Sequence, residues 1–144
     1  MAWAARIIAD GCGRQKQLAA AGLKQIQNEL KAAGHATLTV ALLVNRAGWI
    51  TDLLEYSLGW PEHVPVAETL AVRDAFRSAA RELPLAMSEV DEKSLMELGA
   101  QSLGMGVKAL EGKLKLLGAG VGPPWRKEQK LACLAAWVSL ARIN

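Results

Sequence analysis

The chain has 144 residues, of which 51% are hydrophobic, 22% charged and 5% aromatic, with 17 Lys/Arg against 14 Asp/Glu. This content excludes a disordered polymer and suits one domain that buries roughly 70% of its unfolded surface. Apolar stretches near 13 residues fall short of the ~20 that span a bilayer, so the expectation is a cytoplasmic protein without a membrane partner.

Six helical segments and no strand are predicted, taken in order. The first covers residues 2–9 and is stopped by Gly11 and Gly13. Its apolar core is too short for a secretory signal. The second, over residues 14–33, places Ala19, Leu23, Ile26, Leu30 and Ala33 on one face and ends at Gly34. The third runs over residues 38–58, and Gly48 can divide it into 38–46 and 49–58. Leu42, Leu43, Val44, Trp49, Ile50, Leu53 and Leu54 make it apolar all round, as expected of the central core helix. Residues 59–65 form a loop, and Pro65 opens a fourth helix that reaches Leu83. Ser88 with Asp91 three residues on resembles a capping box and opens a fifth region over residues 89–117, with a break expected near Gly104 and Gly106. Residues 118–123 read as a linker before a last helix over 124–143. The predicted class is all-α, a single-domain bundle of five to six helices.

Chemistry-bearing motifs are sparse. His35, His63, Cys12 and Cys133 have no tight ligand spacing, so no metal or cofactor is expected. The two cysteines suit reduced core thiols. His63 beside Glu62 could form an acid/base pair, but a solvated loop histidine is the simpler reading, and no enzyme is predicted. Gly118–Gly122 precedes a helix but follows no strand, so it lacks the setting of a phosphate cradle.

Charge is better organised. Residues 1–48 carry six Lys/Arg against two Asp/Glu, residues 49–97 four against ten, and residues 98–144 seven against two. Such zoning suits polyanion binding or head-to-tail assembly. Arg73, Arg77 and Arg81 recur every four residues along one stripe. Lys108 and Lys115 align at i+7, and Arg126, Lys127 and Lys130 crowd the start of the last helix. With Arg46 these are candidate contacts to an RNA backbone, without base readout. The plain reading is that they form solvated faces with partners such as Glu111 for Lys115. Trp49 and Trp137 sit in apolar runs and read as core. Trp3, Trp60 and Trp125 lie at segment ends, where a large ring can cap a core or anchor a protein interface.

The stretch from Val40 to Leu54 combines an apolar segment, a polar pair, Ala-Gly and a large apolar residue. The last segment carries Trp137 and Arg142. Together they resemble the small all-helical subunit of type III CRISPR effector complexes, with Val44, Asn45, Arg46, Gly48, Trp49, Trp137 and Arg142 at the matching positions. Trp49 stands where that family usually has Leu, and the Gly-rich 98–122 region has no counterpart. The resemblance implies a non-catalytic antiviral-defence subunit that stacks with protein subunits and guides RNA through Lys and Arg. Two expectations result: an RNA-contacting assembly subunit, open to homo-oligomers, or a phage or mobile-element protein-interaction module anchored by Trp3, Trp60 and Trp125 without nucleic acid.

Overall fold

The computed structural model describes residues 2–35, 38–45 and 49–142. The chain is predominantly helical, as its composition predicts: α1 (Ala2–Ala32), β1 (Thr39–Val44), α2 (Leu53–Gly59), a 3-10 turn (Pro61–His63), α3 (Val64–Glu82), β2 (Ala86–Asp91), α4 (Leu95–Ser102), α5 (Val107–Val121) and α6 (Lys127–Ala141). The two strands correct the expectation of none, and they pair in a two-stranded sheet. Contacts divide the chain into two compact units, one of residues 1–38 and 47–87, the other of 39–46 and 88–144.

In the first unit α1 is one continuous helix, so Gly11 and Gly13 do not stop it. Neither adopts a positive φ, and an interior glycine weakens a helix by about 1 kcal/mol without breaking it when strong helix formers flank it. The true stop is Gly34 at φ 86°. His35 N–H donates to Leu30 O and Gly34 N–H to Lys31 O, the paired bonds of a Schellman end. Against α1 lies α3, with Ala67, Ala75 and Ala79 buried at intervals of eight and four, and Ala71 half-buried between them. Small side chains at that spacing let two helices approach closely. Asp52 caps α2, its carboxylate accepting from Glu55 N–H at 2.9 Å. Buried residues here are almost all alanine: Ala19, Ala67, Ala75, Ala79 and Ala80, with Leu23 the one larger side chain. Two residues expected on the inner face are exposed instead: Trp49 at 71% and Ile26 at 48%.

The second unit holds the hydrophobic core. Leu95, Leu110, Leu134 and Val138 are fully buried, joined by Val90, Ala100, Leu114 and Ala135, with Ala41, Leu43 and Trp137 packed against them. The first half of the run expected as the central helix therefore reaches the core as strand β1, while its second half is helical from Leu53, as α2. Ser88 and Asp91 do not cap a helix at residue 89, because they lie in β2. The turn comes later, where Asp91 Oδ2 accepts from the Ser94 hydroxyl at 2.8 Å, and α4 starts at Leu95. The expected break is Gly104 (φ 62°), which ends α4 with Met105 N–H donating to Ala100 O. Helix α5 then runs through residues expected as linker, to Val121. Two glycines of this unit make room for neighbours. A Cβ on Gly99 would stand 2.9 Å from Leu134 Cδ1, and one on Gly118 would overlap the Trp125 indole.

Candidate interaction surfaces

The candidate cations separate into two groups. On α3, Arg73 and Arg77 are half-buried and neither is free, Arg77 pairing with Asp74 at 2.6 Å. Of that stripe, Arg81 is exposed and has no ion-pair partner among the described residues. The stripe is thus largely engaged inside the chain. Arg46 lies outside the described residues.

In the second unit the buried row Leu110, Leu114 and Gly118 turns one side of α5 inward. Lys108 and Lys115, seven residues apart, share an exposed side, and Lys113, which the sequence reading did not single out, is exposed as well. The Glu111–Lys115 pair that the spacing allows does not form. Arg126 and Lys130 are exposed and likewise unpaired among the described residues. Lys127 is the exception, 3.2 Å from Glu92. Helix α6 starts with Gln129 Oε1 accepting from Arg126 N–H at 3.0 Å, so one of the backbone donors there is already satisfied.

Folding redraws the linear charge zones. The first unit carries eight Lys/Arg against eight Asp/Glu, the second nine against six, so the whole excess of +3 belongs to the second unit. No linear third of the sequence showed this, because the acidic middle is shared between both units.

The aromatic residues also divide. Trp3 and Trp60 are 69% and 66% exposed. Trp125 instead lies half-buried on the backbone of Gly118, its Nε1–H shielded without a hydrogen-bond partner. Trp49 meets Tyr56 edge-on, with centroids 5.5 Å apart, and Tyr56 stacks on His63 at 4.0 Å. His63 Nδ1 is 2.7 Å from Tyr56 O. A carbonyl only accepts, so Nδ1 carries a proton and the ring is fixed in orientation. No ion pair joins His63 to Glu62 among the described residues. Nor do these residues gather three His, Cys, Asp or Glu side chains into a group that could hold a metal ion. No described helix is long and apolar enough to cross a membrane.

No family model, curated protein or solved structure matches this chain.

Proposed function

We propose that the chain is a non-enzymatic assembly subunit that contacts an RNA backbone through its second unit, as a small subunit of an RNA-guided CRISPR effector would. The observation that carries this reading is that the net positive charge belongs to the second unit, where Lys108, Lys113, Lys115, Arg126 and Lys130 are exposed and in no ion pair among the described residues. Unpaired cations on exposed helix faces suit phosphates, whose counterions are released on binding. The family resemblance adds less. Arg46 and Gly48 lie outside the described residues, and the run it would place in an apolar helix is strand β1.

The test is RNA binding by the chain as a function of salt. Apparent affinity falls steeply between about 50 and 200 mM salt. Replacing Lys108, Lys115, Arg126 and Lys130 with alanine lowers affinity for all sequences alike and flattens the salt slope by about 0.7 per lost single-strand contact. Absence of RNA binding at low salt, by the chain and by its assembly, would overturn the reading.

A second reading is favoured by the exposure of Trp3 and Trp60: a protein-interaction module that binds no nucleic acid. It predicts a tight protein complex that survives loss of all four cations and fails when the two tryptophans are replaced by alanine.

A further inference from the structure

The outer side of α1 carries large apolar side chains that the described residues leave largely uncovered. Trp3, Ile7 and Leu18 are 69%, 49% and 73% exposed. On a helix of about 3.6 residues per turn they share a sector roughly 100° wide with Gly11, Arg14 and Gly22. That sector is turned away from Ala19 and Leu23, which are buried. Gly11 and Gly22 have no heavy atom within 4 Å of where a Cβ would stand, and neither needs a positive φ. Both cost helix stability, and neither makes room for a neighbour among the described residues.

The positions are mirror-related. Trp3 and Gly22, Ile7 and Leu18, and Gly11 and Arg14 are each placed symmetrically about the midpoint between Cys12 and Gly13. We propose that α1 pairs antiparallel with α1 of a second copy about a twofold axis at that midpoint. In such an isologous interface each contact occurs twice. Trp3 of each copy reaches across the seam at the level of the open Gly22 of the other, Ile7 meets Leu18, and the Arg14 stem crosses at the level of Gly11. Asp10 and Arg14 are exposed and in no ion pair among the described residues. The antiparallel register sets Asp10 of one copy beside Arg14 of the other, again twice. The overlap from Trp3 to Gly22 is ~30 Å long. It borders two apolar depressions between α1 and α3, of about 430 and 280 Å3, at whose edges stand Ile7, Leu18, Val64 and Val72. Bulk facing gap and acid facing base within one helix commit the face to a second copy rather than to an arbitrary apolar partner. This deepens the assembly half of the function proposed above and rests on it, while needing none of the RNA contacts.

Sedimentation of the full chain tests it, with circular dichroism confirming that each variant is folded. The wild-type chain is expected to dimerise. Leu18→Glu weakens self-association about 30-fold or more. Asp10→Arg and Arg14→Asp each weaken it about 10-fold by placing like charges together. An equimolar mixture of those two variants restores a one-to-one dimer, since one then presents two arginines where the other presents two aspartates. A monomeric wild-type chain, an Asp10→Arg variant that dimerises as well as wild type, or a mixture that stays monomeric would each overturn the proposal. RNA binding measured on the same samples separates the two ideas. A dimer that ignores RNA supports the pairing and sinks the RNA reading, and a monomer that binds RNA does the reverse.

Discussion

The two units solve the problem of burying apolar surface in different ways. The second encloses Leu95, Leu110, Leu134 and Val138 completely. The first buries alanines and Leu23, and it carries ten of the fifteen large hydrophobic side chains that are exposed among the described residues. Burial of a large side chain is worth about 1.5–3 kcal/mol, of an alanine far less. Net charge follows the same division, neutral in the first unit and +3 in the second. The difference teaches that the second unit closes a core of large side chains, while the first leaves most of its large apolar side chains at the surface.

Truncating a core leucine breaks this comparison most directly if it is wrong. Leu134 is fully buried between α4 and α5, so Leu134→Ala is expected to cost about 3–5 kcal/mol in urea denaturation, through lost contacts and the cavity left behind. Leu23→Ala, in the alanine-lined contact of the first unit, is expected to cost nearer 2 kcal/mol, because a thin layer between two helices can close over the gap. Equal losses would show that the first unit has a core of the same kind.

Much of the class was legible, and the failures have physical causes. Thr39–Val44 is a short apolar run, and such a run reads equally as strand or buried helix until its partner is known. Its partner is β2, whose Ser88 and Asp91 imitate a helix cap. Trp49 looked like core because its neighbours are apolar, yet its ring is largely exposed and meets Tyr56 in a T-shaped contact. The cations on α5 and α6 were legible because helical spacing alone predicts their faces. The engagement of Arg77 by Asp74 was open to the same spacing argument, at i+3. The outer face of α1 was hidden by reading Gly11 and Gly13 as a stop, which cut the helix where the mirror-related pattern is centred.

The next effect sharpens the comparison through the glycine that Trp125 occupies. Gly118→Ala drives a methyl group into the indole and is expected to cost about 1–3 kcal/mol. In a Trp125→Leu background the same substitution should cost less than 1 kcal/mol or turn favourable, since alanine is the better helix former. If the two substitutions prove additive in thermal or urea unfolding, Trp125 does not rest on Gly118, and its role as an exposed interface anchor returns.

The smallest effect has the opposite sign and belongs to the first unit. Gly13 stands inside α1 with no heavy atom within 4 Å of a would-be Cβ, and its φ is not positive. Gly13→Ala is therefore expected to stabilise by about 0.5–1 kcal/mol, because it removes backbone freedom from the unfolded chain and meets no clash in the folded one. By helical phase Gly13 lies away from the sector that holds Trp3, Ile7 and Leu18, so its substitution leaves self-association unchanged. Gly22→Leu gains a comparable helix preference, yet it fills the gap assigned to Trp3 of the second copy and should weaken the dimer. Unfolding measured in dilute protein, alongside sedimentation at high concentration, separates the two glycines. If both substitutions stabilise and neither alters assembly, the vacancies along α1 are only gaps, and the first unit exposes its apolar side chains for some other reason.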